Sequence, residues 1–209
     1  MGDTPGKVTR RSQQERREEA ENALLDAAQE LIAEQGIMRT SLAQIAARAG
    51  YSHGLVNHHF GTKDQLIEQL VNRGRQRFMK RSIGARGDDG LHRLLKAVDT
   101  FLSPFDSPNS RTPYLLVMWG SSLPDGASHR GTMAEFEAGA RQIAKRTVKL
   151  GQEDGSISED VDADAFATVF MGMMRGCAAQ ILLKPNRIKP RKLRQQIKQY
   201  IEDALKPSS

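Results

Sequence analysis

The chain has 209 residues, 38% of them hydrophobic, enough for one large domain or a small one joined to a larger. At a mean hydropathy of −0.54 a packed core is within reach, and disorder throughout is excluded. The net charge of +6 favours anionic partners without naming one, and the lone Cys177 excludes an intrachain disulfide and suits a reducing cytoplasm.

Met1–Gln14 is polar and lacks the apolar centre of a secretory signal. Ser12 with Glu15 forms a capping box, after which Leu24, Ala27, Ala28, Leu31 and Ile32 follow helical spacing until Gly36 stops them. A second box, Ser41 with Gln44, opens a short helix through Arg48 that Gly50 breaks. Ser52 caps a third helix, and Thr62 with Gln65 caps a fourth reaching about Arg81. Gly84–Gly90 is a Gly- and Asp-rich joint. Beyond it, Leu91, Leu94, Leu95, Val98, Phe101 and Leu102 make an amphipathic stripe. Pro104, Pro108 and Pro113 bracket a loop, and Tyr114–Leu123 reads as a short apolar helix. Met133, Phe136, Ala140, Ile143, Ala144 and Thr147 mark a longer one that ends at Asp154-Gly155. Asp162 caps the run before Lys184-Pro185, and Pro190 opens a last helix with Leu193, Ile197, Ile201 and Ala204 on one side. No stretch alternates with period two. The expected fold is all-α, with about nine helices.

Two stretches need separate weighing. The run Ala165–Leu183 is long enough to span a bilayer. Arg175 near its middle would cost about 2.5–3.5 kcal/mol there, and acids flank its start, so it is expected to be a helix buried on most sides in a bundle. From Lys184 to Lys206, eight Lys or Arg stand against Glu202 and Asp203. That tail reads as a solvated helix face or, in a rival reading, as a membrane-surface or RNA-binding element.

Tyr51–Lys63, YSHGLVNHHFGTK, holds three of the five histidines. Two short helices around a glycine turn, Ser41–Arg48 and His53–Phe60, have the dimensions of a helix-turn-helix, with Ala46, Gly50 and Val56 at its small, turn and apolar positions. At about 100° per residue, Leu55, Val56, His59 and Phe60 share one arc, and His53, Gly54, Asn57 and His58 the opposite one. His53 and His58 are five apart and His58 and His59 adjacent, not the i, i+4 spacing that converges on zinc, so no metal site is expected. No nucleophile or carboxylate is spaced to orient them for catalysis, and no cofactor motif appears. Phosphate fits better: two helix amino ends, Lys63, Asn57 and the outward histidines can all donate to a nucleic-acid backbone or to base edges.

At these residues the chain resembles the amino-terminal domain of the TetR family. The match runs through Thr40, Ile45, Ala46, Ala49, Gly50, Ser52, Gly54, His59, Phe60, Lys63 and Leu66. The first helix, ALLDAAQELIAEQG, and the later EDGSISEDVDADAFATVF are similar to that family too. The resemblance implies a cytoplasmic, homodimeric regulator, usually a repressor, that is released from a near-palindromic double-stranded DNA operator by a small molecule. It implies a helix-turn-helix domain over residues 12–62, a ligand-binding and dimerisation domain over 63–206, and a basic arm over 1–11 (Lys7, Arg10, Arg11) tracking the minor groove. Carried over by position, Gln44, His53, Gly54 and Asn57 are the base-edge candidates. Thr40, Tyr51, His58, His59 and Lys63 are the phosphate candidates. Asn57 stands where the family commonly has Tyr, and Tyr51 where Val is usual, so the tyrosine's phosphate contact is replaced or moved.

The dimer implied is a four-helix bundle made of the last two helices of each subunit. Gly172 and Gly176 permit close approach there, and Phe166, Val169, Phe170, Met173, Cys177, Ile181, Leu193 and Ile197 supply area. Ligand-lining candidates are Phe101, Phe105, Tyr114, Met118, Trp119, Met133, Phe136 and Met174, with Asp99 or Arg175 as counter-charge. Trp119 and Tyr114 can cage a quaternary ammonium, and the third helix resembles the choline-responsive branch of the family.

Overall fold

The computed structural model describes residues 12–82, 88–106, 113–124, 127–184 and 187–207. The arm with Lys7, Arg10 and Arg11, and most of the Gly84–Gly90 joint, lie outside them. Nine α-helices and one short 3₁₀ turn make up the described residues: α1 (Gln13–Gln35), α2 (Leu42–Ala49), α3 (His53–Phe60), α4 (Lys63–Ser82), α5 (Gly90–Leu102), the turn Ser103–Asp106, α6 (Pro113–Ser121), α7 (Arg130–Glu153), α8 (Ala163–Leu183) and α9 (Pro190–Leu205). The all-α expectation holds.

Contacts divide the chain into two units, Met1–Leu66 and Ile67–Ser209, and the division falls inside α4. In the first, α1 packs on α2 and α2 on α3. Leu24, Ala28, Ile32, Ile45, Ala46, Val56 and Phe60 are buried there. Both capping boxes read from sequence form: Ser12 with Glu15 on α1 and Ser41 with Gln44 on α2. A two-pronged ion pair from Arg48 to Glu34, at 3.0 and 2.9 Å, fastens α2 to α1 and holds the Glu34 carboxyl below its usual range.

The second unit is a bundle in which α5 meets α7, α8 and α9, and α8 also meets α6 and α7. The segment after α7 explains the motif singled out in the sequence. Asp154 takes the N–H of Gly90 on one oxygen, at 2.8 Å, and that of Ser156 on the other. The Ser156 hydroxyl takes Leu91 N–H, so this turn caps the start of α5. Its hydrogen bonds from Ser156 and Gly90 hold the Asp154 carboxyl below the ordinary range. Gly90 and Gly151 meet backbone to backbone: a Cβ on Gly90 would come 2.3 Å from Gly151 Cα. Gly74 in α4 has a similar duty, since a Cβ there would meet Tyr114 Oη at 2.6 Å. Asp162 caps α8 by accepting from Asp164 and Ala165 N–H.

One expectation fails here. The apolar helix is not buried on most sides: only 28% of its most hydrophobic 18-residue stretch is covered. Among the described residues it is also the one helix long and apolar enough, by length and composition, to cross a membrane. Its inner side, Ala167, Phe170, Met174, Ala178 and Ile181, packs into the bundle, while Val169, Gly172, Gly176 and Leu183 on its outer side are exposed among the described residues.

Candidate nucleic-acid interface and effector cavity

The turn between α2 and α3 depends on Gly50, whose φ of 76° is left-handed and whose N–H closes α2 onto Ala46 and Ala47 carbonyls. Tyr51 N–H also reaches Ala46, and Ser52 then caps α3 at Leu55. Val56, 0% exposed, and Phe60 hold α3 from beneath. His53, Gly54, Asn57 and His58 are exposed, and Leu55, His59 and Tyr51 half-buried. A Cβ on Gly54 would meet nothing nearer than Ser52 Oγ at 3.9 Å, so space is open above it. Gln44, exposed on α2, turns its carbonyl oxygen back to Ser41 N–H at 2.9 Å.

Three phosphate candidates sit differently from the simple expectation. Thr40 is buried, its hydroxyl donating to Gly36 and its N–H to Ile37 carbonyl, which removes both of its donors from an outside anion. Lys63 folds back to give one of its three hydrogens to the Ile37 carbonyl, at 2.6 Å, and burial lowers its pKa. His59 is half-buried, and burial lowers its pKa below the ordinary 6.5, so at neutral pH it offers an N–H without a charge. Thr62 and Gln65 form the expected box at the start of α4.

In the second unit the proposed dimer residues separate by side. Val169 is 66% exposed, Gly172 and Gly176 are exposed, and Phe166, Met173, Cys177 and Leu193 are half-buried. Phe170, Ile181 and Ile197 belong instead to the subunit's own core. Leu183 and Tyr200, not foreseen, are exposed large side chains on α8 and α9. The basic tail is smaller than its sequence suggests, because Arg194 pairs with Asp106 at 2.7 Å and Lys198 with Asp99 at 3.0 Å.

Two cavities stand out among the described residues of this unit. One of about 470 Å³ is lined by Trp119, Glu137, Arg141, Arg175 and the small residues of α8; one of about 230 Å³ lies among α4, α5, α7 and α8. Of the lining candidates, Phe101 and Met174 face the smaller cavity and Trp119 the larger. Phe105, Tyr114, Met118 and Met133 are packed core, and Phe136, half-buried, lines neither. The quaternary-ammonium cage does not form. Tyr114 is 4% exposed with its hydroxyl turned to the Leu70 carbonyl, and Trp119 already carries the Arg175 guanidinium 5.7 Å from its ring centre. Asp99 serves α9. No group of three or more His, Cys, Asp or Glu side chains suited to a metal occurs among the described residues.

The profile of the bacterial regulatory proteins of the tetR family matches residues 24–70, and that of the BetI-type transcriptional repressor C-terminal region matches 91–206. The chain belongs to the TetR family. The repressor KstR2 of Rhodococcus jostii (strain RHA1) is 30% identical over 166 residues, 78% of this chain and 74% of that one. An HTH-type transcriptional repressor of Mycobacterium tuberculosis (strain ATCC 25618 / H37Rv) is 53% identical over 56 residues, 27% of this chain, so the chain spans 30% of that relative's length. Among solved structures, a TetR-family regulator from Rhodococcus sp. superposes with a TM-score of 0.79 at 24% identity, covering 90% of this chain and 99% of that one. A regulator from Saccharomonospora viridis in complex with choline superposes at 0.73, also at 24% identity, covering 90% and 98%.

For this TetR-family chain, sequence reading missed Glu137, Arg141 and Arg93 as cavity residues. Glu137 and Arg141 are four apart on α7, which in sequence looks like an ordinary solvated pair. Their signal was Arg175, a lone cation in an apolar run, which needs an acid opposite. His129 was also missed: it is buried, with Nε2 2.9 Å from Ser121 Oγ and 3.2 Å from the Met118 carbonyl at the end of α6.

Proposed function

We propose that the chain is a cytoplasmic, homodimeric transcriptional repressor that reads a near-palindromic DNA operator and leaves it when a small molecule binds. Residues 12–62 serve as the DNA-binding part and 63–206 as the effector and dimer part. The observation that carries the reading is α3 itself, whose polar side, His53, Gly54, Asn57 and His58, is free while Val56 and Phe60 hold the other side. In a major groove that surface offers donors to base edges and, at Gly54, room for close approach. Gln44 joins the base-reading set, and Tyr51, His58, His59 and Lys63 the phosphate set; Thr40 is left out of it. Two copies joined through the outer side of α8 and α9 would set two such helices about 34 Å apart, one turn of the duplex.

Effector release is supported by the choline held in the Saccharomonospora viridis structure and by the cavities of this chain. α4 is one helix from Lys63 to Ser82, with Phe78 in a cavity wall, so a ligand against Phe78 acts on the same rod that begins at the phosphate end. Ligand and DNA then antagonise each other reciprocally, by typically about 1–3 kcal/mol. The rival, a membrane-surface or RNA-binding tail, loses ground because Arg194 and Lys198 are engaged by Asp106 and Asp99. Selection of bound genomic duplexes by the purified chain, beside liposome flotation, tests both. A protein that ignores every duplex at low ionic strength ends the DNA-binding reading.

A further inference from the structure

The two cavities share a wall, since Arg175 and Met171 line both. The larger one opens on the Gly172 and Gly176 side of α8, the surface assigned above to a second copy, so it is not an independent site. The smaller one has a different character. Its walls are apolar, with Phe78, Leu94, Phe101, Ile143, Phe170 and Met174 prominent, and among the described residues its charged lining groups are Arg93 and Arg175, with no carboxylate. A cationic ligand there would meet two guanidiniums first, since their partner acids Glu137 and Asp154 stand outside the lining. At about 230 Å³ the slot is smaller than the roughly 300–1,000 Å³ of drug-sized sites and suits a compact ligand.

Arg175 is held ready for an anion. Its side chain is 11% exposed, one nitrogen donates to the Met171 carbonyl at 3.0 Å, another pairs with Glu137, and its guanidinium carbon lies over the Trp119 ring. Glu137 stands on the side of the larger cavity and does not line the slot. A guanidinium can receive a carboxylate on two parallel N–H bonds, so one carboxylate can replace another without leaving the charge bare. A displaced Glu137 still has the Arg141 cation near it on α7, so its own charge is not left bare either.

We propose that the slot among α4, α5, α7 and α8 binds a compact amphipathic carboxylate, its apolar tail against Phe78, Phe101 and Met174 and its anionic head on Arg175, displacing Glu137. This deepens the effector reading and rests on it for the slot's role in regulation.

The test uses the full chain and calorimetric titration with four probes: octanoate, octanol, octyltrimethylammonium and choline. Octanoate is expected to bind at least about tenfold more tightly than octanol. Glu137→Gln, which removes the internal competitor, should tighten octanoate by about tenfold and leave octanol unchanged. Arg175→Met should abolish the preference for the acid; where that variant fails to fold, the Glu137→Gln result decides alone. Equal binding of octanol and octanoate, tighter binding of either ammonium, or weaker octanoate binding in Glu137→Gln overturns the proposal. Operator affinity measured in parallel separates the two readings. Octanoate that binds with this signature yet leaves DNA affinity unchanged keeps the slot and removes its effector role. A chain that holds DNA but binds no octanoate at millimolar concentration loses the slot and keeps the repressor.

Discussion

Helices α3 and α8 expose opposite chemistry, and the contrast separates two kinds of interface. α3 has eight residues, a buried Val56 and Phe60, and an outer side of histidine, asparagine and glycine. α8 has twenty-one, packs Phe170, Met174 and Ile181 inward, and leaves Val169, Leu183 and two glycines outside. A polar outer side stays in water at no cost until a polar partner replaces that water. An apolar one of this length is costly exposed and calls for an apolar partner, which a second copy supplies symmetrically.

The largest effect should come from charging that outer side. Val169→Glu would put a carboxylate from each copy into the proposed apolar interface, where an unpaired buried charge costs several kcal/mol. Sedimentation should show monomers, and operator affinity should fall by about 10²–10⁴-fold as two linked reading heads become independent. A dimer that survives the change would move the interface off α8.

On α3 the test is an opposition of signs. Gly54→Ala should raise thermal stability, by up to about 1 kcal/mol from helix propensity, because the added methyl meets nothing nearer than Ser52 Oγ at 3.9 Å in the free protein. The same methyl should weaken operator binding by about tenfold, since it fills the gap left for the duplex. Melting and anisotropy titrations on one preparation suffice. Stability and affinity rising together would mean that DNA does not approach at Gly54.

How much of this was legible beforehand follows the range of the forces involved. Caps and glycine turns act within four residues, so Ser12–Glu15, Ser41–Gln44 and the Gly50 break could be read directly, and the inward and outward sides of α3 followed from helical geometry. The second unit depended on encounters between distant residues. Glu137 meets Arg175, and Arg194 and Lys198 reach back to α5 and the turn after it; no spacing rule announces such pairs. Aromatic and methionine residues were a poor guide to the cavity for a related reason. Tyr114, Met118 and Met133 have the composition of a lining yet fill core, and only packing tells the two apart. Thr40 matched its family position while its hydroxyl was already bonded to Gly36.

His59 offers a smaller effect with a defined pH window. Burial holds its pKa in the folded chain below the ordinary 6.5, with His58 and Arg17 acting in the same direction and Glu21 against. The folded state therefore prefers the neutral ring. Its contribution is full above about pH 6.5 and is lost as pH falls through the depressed value. Melting temperatures between pH 7.5 and 5.5 should fall more for the native chain than for His59→Phe. Equal slopes would place the acid sensitivity elsewhere in the chain.

Lys63→Ala should change affinity least and be the most diagnostic of mechanism. A lysine wholly committed to phosphate contributes about 0.9 to the slope of log affinity against log salt. Lys63 already gives one hydrogen to the Ile37 carbonyl and is partly buried, so its removal should flatten that slope by less than one full contact. The loss should be the same on operator and random duplexes, because a phosphate carries no sequence information. A loss confined to the operator would make Lys63 a reader of bases. No loss at all would leave it as the tie that fastens the start of α4 to the loop after α1, with the phosphate held by backbone N–H groups at that helix end.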